Sequence, residues 1–127
     1  MARILVVEDN ADIAQLLILL LGQQGHEARC AADASGALSA LQRDIFDAAL
    51  MDIGLPGMNG LQLAHRVRGL YGRQLRLIAL TGYLDSIISR RKVLDAGFDE
   101  VLRKPIDFPT LLALLGSSPD NGGTPSQ

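Results

Sequence analysis

The sequence is poor in the residues that mark several classes of protein. It has one cysteine, Cys30, no tryptophan and only 4% aromatic residues in a chain of 127. With one cysteine no internal disulfide can form, which fits a reducing cytoplasm. Because aromatic side chains are so scarce, the core must be built from Leu, Ile, Val and Ala. A chain of this length fits one domain that folds without disulfides.

Strong charge and long apolar runs are also lacking. The formal net charge is -2 and the pI is about 5.5, so we expect no direct binding of nucleic acid. The longest apolar run, Leu16 to Leu21, is far too short to span a membrane. The run from Ile4 to Val7 is followed at once by acids, unlike a signal peptide. We therefore expect a cytoplasmic protein without membrane insertion.

Short apolar strands alternate with amphipathic helices along the chain. Ile4 to Val7 has the pattern of a strand buried on both faces of a parallel sheet. Strands are predicted at 4–7, 27–31, 47–51, 76–80 and 100–103, and helices from Ala11, over 36–43 and 61–70, between Leu84 and Leu94, and over 111–115. This alternation predicts a doubly wound α/β domain with a five-stranded parallel sheet and right-handed crossovers. We expect the domain to cover 1–116, and the Gly/Ser/Pro-rich segment 117–127 to be a flexible tail or linker.

Polar residues follow four of the predicted strands. Glu8 and Asp9 follow the first strand, Asp52 the third, Thr81 and Gly82 the fourth, and Lys104 the fifth. Because the carboxyl ends of parallel strands meet at one edge of the sheet, we expect these residues to converge there.

The residue types at this edge indicate phosphoryl transfer. Three convergent carboxylates repel one another and favour a divalent cation such as Mg2+, which prefers oxygen ligands. The Thr81 hydroxyl, the Gly82 N–H and the Lys104 ammonium can contact phosphoryl oxygens. A carboxylate nucleophile beside a metal, a hydroxyl and a lysine describes phosphoryl transfer to aspartate.

Five segments, in this order, resemble the receiver domain of response regulators in two-component signalling. They are Ile-Leu-Val-Val-Glu-Asp-Asn at 4–10, Met-Asp-Ile-Gly-Leu-Pro-Gly-Met-Asn-Gly at 51–60, Ala-Leu-Thr-Gly at 79–82, Ala-Gly-Phe-Asp at 96–99 and Lys-Pro at 104–105. The resemblance extends from residue 3 to about residue 115. It implies a flavodoxin-like fold with strand order 2-1-3-4-5.

The resemblance also implies roles for the edge residues. Asp52 would be the phosphoacceptor, and Asp9, Asp52 and the Gly54 carbonyl would bind Mg2+, with Glu8 acting largely through a bridging water. Thr81 and Lys104 would contact the phosphoryl group, and the Lys104–Pro105 bond would be cis.

The family further implies that the protein is a signalling phosphoacceptor and not an enzyme. Such a domain promotes its own phosphorylation and dephosphorylation. It would receive the phosphoryl group from a sensor histidine kinase or a histidine phosphotransfer protein, as a monomer or weak dimer. The Gly/Ser/Pro-rich tail and the segments Ile-Gly-Leu-Pro-Gly at 53–57 and Thr-Gly-Tyr at 81–83 resemble those of receivers attached to hybrid sensor histidine kinases.

Two residues depart from the family pattern. Glu8 replaces the commoner Asp, and Val101 stands where a Tyr or Phe usually couples to the threonine. We therefore predict weak coupling from Asp52 to the face formed by the fourth helix, fifth strand and fifth helix. Tyr83 and Gly54 border the path of the hydrolytic water in this family, so we also predict slow dephosphorylation, accelerated by Tyr83→Ala.

Other interpretations stay open for single residues and for the whole domain. Asp9 alone could be a helix cap, Asp52 a turn residue and Lys104 a surface lysine. Cys30, His26 and His65 lack partners at metal or nucleophile spacing, and the basic cluster at 90–92 fits a solvated helix face. The alternatives for the domain are a phosphate-independent interaction module and a flavodoxin-like nucleotide binder. The second is disfavoured because acids, not a glycine-rich loop, follow the first strand.

Overall fold

Parallel strands form one sheet in the order β2-β1-β3-β4-β5, as the sequence predicts. The computed structural model describes residues 2–54, 59–82 and 90–116. The strands are β1 (Arg3–Val7), β2 (Glu27–Ala31), β3 (Ala48–Asp52), β4 (Arg76–Thr81) and β5 (Glu100–Arg103). The helices are α1 (Ala11–Gln23), α2 (Ala34–Arg43), α3 (Gly60–Tyr71), α4 (Arg90–Asp95) and α5 (Phe108–Gly116), with a 3-10 turn at Gly72–Gln74.

The central strands are buried on both faces, which explains their unbroken apolar runs. On one face Leu5 and Val7 join residues of α2, α3 and α4 in one apolar cluster. On the other face Ile4 and Val6 join residues of α1 and α5 in a second cluster. The core is mainly aliphatic, as predicted, although Phe46 and Phe98 are also buried.

Side chains cap the first turns of α1 and α2. Asn10 caps α1 by accepting from the backbone N–H groups of Asp12 and Ile13 at 3.0 and 3.1 Å. Asp33 caps α2 by accepting from the Gly36 N–H at 2.7 Å, so this helix begins two residues earlier than predicted, at Ala34.

Other boundaries also differ from the prediction. β3 and β4 each extend one residue further than predicted and end on Asp52 and Thr81, so these two residues belong to the sheet itself. The last helix starts at Phe108, three residues before the predicted start. The predicted beginning of the fourth helix falls outside the described residues. Within the described ranges, no helix has the length and apolar character needed to cross a bilayer.

Candidate functional site at the carboxyl edge of the sheet

The ends of neighbouring strands bring the candidate residues to one edge. Asp52 is the last residue of central strand β3 and lies opposite Leu80 of β4. Glu8 directly follows β1, and its N–H donates to the Ala31 carbonyl of β2 at 3.0 Å. Lys104 directly follows β5, and its N–H donates to the Thr81 carbonyl at 2.8 Å. The backbone hydrogen bonds of the sheet therefore continue into the site, and they fix the backbone position from which each of these side chains extends.

Lys104 joins two of the carboxylates. Its Nζ lies 2.9 Å from Asp52 Oδ2 and 3.0 Å from Glu8 Oε1. The Glu8 side chain is 1% exposed, that of Asp52 11% and that of Lys104 23%. Because water is largely excluded, these charged hydrogen bonds are stronger than surface ion pairs.

A third carboxylate completes the group. Glu8, Asp9 and Asp52 each offer an oxygen atom within 4.8 Å of the others. Asp9 is exposed, while the other two are buried. Three hard oxygen donors with an open, solvated side fit a cation such as Mg2+, which keeps several water ligands.

Burial and charge shift two pKa values at this site. Burial raises the pKa of Glu8, and the charge of Asp52 raises it further, while hydrogen bonds from Lys104 and the Asn10 N–H oppose this change. Burial lowers the pKa of Lys104, but hydrogen bonds to Asp52 and Glu8 outweigh burial and leave it raised. Lys104 is therefore a permanent positive charge at neutral pH.

Backbone contacts hold the Asp52 carboxylate in one orientation. Its Oδ1 accepts from the Gly54 N–H at 2.8 Å. The next residue, Ile53, donates its N–H to the Leu80 carbonyl at 3.2 Å and accepts from the Gly60 N–H at 3.0 Å. The resemblance implies that the Gly54 carbonyl is a metal ligand, but it does not predict that the Gly54 N–H donates to Asp52. The Gly54 carbonyl as a metal ligand stays a prediction.

Thr81 and Gly82 lie at the same edge. Thr81 is buried, and its hydroxyl makes a long contact of 3.4 Å to the Leu102 carbonyl. It stands one residue beyond the partner of Asp52 on β4. Gly82 is half-buried. The predicted phosphoryl contacts of both residues remain predictions.

Asn10, the cap of α1, also contributes to the site. Its backbone N–H donates to Glu8 Oε2 at 3.2 Å. The turn that begins α1 thus also orients the buried carboxylate.

The residues that the sequence analysis leaves without a functional role lie outside this site. Cys30 and His65 are exposed, and His26 Nδ1 accepts from the Ala2 N–H at 3.0 Å. The basic residues 90–92 are exposed on α4, where Arg91 lies 3.8 Å from Asp95.

A doubly wound sheet whose carboxyl edge joins an acidic group to a lysine defines a receiver-type signalling domain. The sequence matches the response regulator receiver domain family over residues 4–116, and the chain belongs to this family. It is a receiver domain of two-component signalling and not a classical enzyme.

Similar proteins support this assignment. A 14.6 kDa protein in the sodA1 3′ region of Leptolyngbya boryana is 38% identical over 113 residues, which cover 88% of this chain and 86% of that protein. The two-component response regulator PhoP of Pseudomonas aeruginosa is 36% identical over 118 residues, covering 91% of this chain and 50% of PhoP. The CheY-like receiver domain protein of Methanospirillum hungatei JF-1 has a solved structure with 31% identity, a TM-score of 0.82 and 92% coverage of each chain. The chain spans about half the length of several curated relatives.

Proposed function

We propose that this receiver accepts a phosphoryl group from a phosphohistidine on Asp52, in a reaction that requires Mg2+. The observation that carries the proposal is the pair of hydrogen bonds from Lys104 Nζ to Asp52 and Glu8. A carboxylate that faces a fixed ammonium ion can receive a dianionic group without a large increase in local repulsion.

The reaction is a displacement at phosphorus. An Asp52 carboxylate oxygen attacks the phosphorus, the P–N bond to the donor imidazole breaks, and the imidazole nitrogen leaves with the bonding electron pair. Lys104 offsets charge on the transferring oxygens, and the Thr81 hydroxyl and Gly82 N–H are donors for the same oxygens. Positioning and electrostatics supply the catalysis, because no other covalent step is needed.

Mg2+ would be held by Asp9, Asp52 and the Gly54 carbonyl, with Glu8 reached through a bridging water. When bound, it would neutralise charge on the carboxylates and the incoming phosphoryl oxygens. The close approach of three carboxylates supports this assignment, because the single charge of Lys104 leaves the group with a negative balance.

The donor class is a sensor histidine kinase or a histidine phosphotransfer protein in the cytoplasm. The receiver would act as a switch or as a relay intermediate that promotes its own phosphorylation and dephosphorylation. We propose a monomer or weak dimer without direct contact to nucleic acid. A place within a hybrid histidine kinase fits the composition of residues 117–127.

Intact mass measured before and after treatment with acetyl phosphate and Mg2+ tests the acceptor. The wild type should gain one phosphoryl group and Asp52→Asn none. Asp12→Asn is the matched control, since Asp12 is exposed on α1 and loses the same charge. Equal labelling of wild type and Asp52→Asn would refute the assignment. A wild type that takes no phosphoryl group from acetyl phosphate or from a phosphohistidine protein would instead be a phosphate-independent interaction module.

A further inference from the structure

β2 is an edge strand whose outer side is open. It pairs with β1 on one side, and within the described residues no strand lies on its other side. The Glu27 N–H donates to the Ala2 carbonyl at 3.0 Å, so Glu27 directs its backbone groups toward β1. Because successive residues of a strand direct these groups to opposite sides, Ala28 and Cys30 direct theirs away from the sheet. The N–H and C=O groups of these two residues are therefore available to a further strand.

A groove lies along this outer side of β2. Its lining includes Ile18 of α1, Ala40 and Arg43 of α2, and Cys30 of β2 itself. α1 and α2 pack on opposite faces of the sheet, and one groove can touch both helices only where the sheet ends. The groove has a volume of about 710 Å3, so the two helices leave the edge of β2 accessible.

The charged side chains of β2 are complementary to those of an identical antiparallel strand. Glu27 and Arg29 lie on one face of the sheet because they are two residues apart, and Arg29 Nη2 is 3.5 Å from Glu27 Oε2. Their side chains are 45% and 58% exposed. If Ala28 lies opposite Ala28 of a second copy, each Glu27 lies opposite Arg29 of that copy. The charges then alternate in sign along and across the strands, and such cross-strand pairs stabilise a sheet.

The neighbouring antiparallel registers lack this complementarity. Pairing centred on Arg29 brings two guanidinium groups opposite each other, which destabilises a sheet. Pairing centred on Cys30 places Arg29 opposite Ala31 and matches no charges. The register centred on Ala28 also suits the backbone, because two opposite residues that both direct their backbone groups outward exchange two hydrogen bonds. Charges on an edge strand commonly discourage pairing, but the order Glu-Ala-Arg discourages every register except this one.

We propose that two copies of this chain associate through β2, antiparallel and centred on Ala28, so that their five-stranded sheets join into one continuous sheet. The two copies are related by a two-fold axis, so the same surface serves both. β1 separates β2 from β3, which carries Asp52, and the carboxyl edge of each sheet stays open. The association therefore goes beyond the proposed phosphoryl transfer and does not depend on it.

α1 supplies apolar surface for the same contact. In the joined sheet the two copies of α1 lie on one face, on either side of the two-fold axis. Leu19 follows Ile18, which lines the groove, and it is 59% exposed, so association can remove it from water. A contact limited to one strand and one side of a helix is smaller than a standard interface. We therefore expect a weak dimer with a Kd on the order of 100 µM.

Charge reversal tests the register through the oligomeric state. Glu27→Arg places like charges opposite Arg29 of the second copy, and Arg29→Glu places like charges opposite Glu27. Each variant alone should dimerise about tenfold more weakly than wild type, or not at all. An equal mixture of the two should form a heterodimer, because every opposing pair then joins opposite charges. Arg66→Glu, which makes the same charge change at an exposed position on α3, should dimerise like wild type. Analytical ultracentrifugation at low salt, with protein up to about 1 mM, measures all four samples.

Cross-linking tests the same register with the charges intact. Opposite residues of a hydrogen-bonded pair have Cα atoms about 5.5 Å apart, within reach of a disulfide. Ala28→Cys in a Cys30→Ser background should therefore form a disulfide-linked dimer under mild oxidation. In wild type the two copies of Cys30 lie roughly 14 Å apart in this register, too far for a disulfide, so wild type should stay uncross-linked.

Three results would overturn the proposal. They are a wild type that stays monomeric at about 1 mM, a mixture of the two charge variants that associates no more than its components, and a disulfide through Cys30 in wild type but none in Ala28→Cys with Cys30→Ser. Neither experiment uses Mg2+ or a phosphoryl donor, so failure of the proposed phosphoryl transfer would leave both outcomes unchanged.

Discussion

Gly60, the first residue of α3, lies against the backbone of Asp52. A Cβ atom on Gly60 would stand 2.7 Å from the Asp52 carbonyl oxygen and 2.4 Å from the Cα of Ile53. Both distances are well inside van der Waals contact, and the atoms they meet are backbone atoms that cannot rotate away. A side chain at position 60 would therefore push α3 away from the end of β3, where Asp52 is held.

Gly60→Ala should lower the free energy of unfolding by about 2 kcal/mol and slow phosphorylation of Asp52, because overpacking displaces the strand end. Gly69→Ala is the matched control on the same helix, since a Cβ there meets nothing within 4 Å. That control should be neutral or slightly stabilising, because Ala favours helix more than Gly does. Urea unfolding and acetyl phosphate labelling give the two readouts. Equal stability of the two variants would show that the contact at Gly60 is relaxed in solution.

Arg68 connects α3 to two separate loops. Its guanidinium donates to the carbonyls of Gly72 at 2.6 Å, Leu75 at 2.7 Å and Gly97 at 3.0 Å, and to Asp99 Oδ2 at 2.9 Å. The side chain is 13% exposed. Leu75 and Gly97 are buried, so the contacts to their carbonyls satisfy acceptors that have little access to water, whereas Gly72 is exposed.

Arg68→Met should cost about 2 kcal/mol of stability, because the half-buried Asp99 keeps only the exposed Arg73 as an ion-pair partner within the described residues and three carbonyls lose a donor. Arg66→Met serves as the control, since Arg66 is exposed on the same helix and its side chain makes no hydrogen bond or ion pair within the described residues. Denaturant unfolding followed by circular dichroism measures both. A similar midpoint for the two variants would mean that water replaces the lost contacts at little cost.

The strands and the edge residues could be predicted because their signals are local. An apolar run such as Ile4 to Val7, ended by acids, requires a strand buried on both faces, and all four residues are 0% exposed. The alternation of strands and helices then places Asp52 and Lys104 at one edge, although no single segment specifies their distance.

The contacts that hold the site could not be predicted, because their partners are distant along the chain or change role. The predicted third helix begins at residue 61, and the contact of Gly60 with Asp52 depends on how α3 returns to the sheet. From the sequence, Arg68 is a polar residue on a helix with no sign of a special role. Its acceptors lie in segments that only tertiary folding brings together. The Glu8 contact with Lys104 joins residues 96 positions apart.

Asp9→Asn should weaken Mg2+ binding about tenfold or more, because it replaces the proposed carboxylate ligand by a neutral amide. Asp12→Asn removes the same charge one helical turn away and should leave Mg2+ binding almost unchanged. Calorimetric titration of both variants and wild type at one ionic strength isolates the ligand effect from general electrostatics. Equal affinities of Asp9→Asn and Asp12→Asn would exclude Asp9 as a ligand.

We predict that Val101 limits how far a signal from Asp52 can travel. It lies on β5 opposite Ala79, half-buried against the apolar cluster that includes Leu77 and Phe98. Valine is short and stiff at χ1, so it cannot exchange between an outward and an inward position as a large aromatic ring can. A shift between two conformations requires a contact that differs between them, and Val101 supplies no such contact.

Beryllofluoride, a phosphoryl mimic, should therefore, with Mg2+, shift the backbone amide resonances near Asp52 and Thr81 far more than those around Val101 and along α5. Tyr83, on which the prediction of slow dephosphorylation depends, lies outside the described residues. Two-dimensional amide spectra of wild type with and without the mimic provide the measurement, and Asp52→Asn, which should not bind it, is the control. A partner would then recognise the phosphorylated edge itself rather than a change in α5. Large shifts throughout α5 in the wild type, absent from Asp52→Asn, would contradict this and show that the domain switches its distal face without an aromatic residue at position 101.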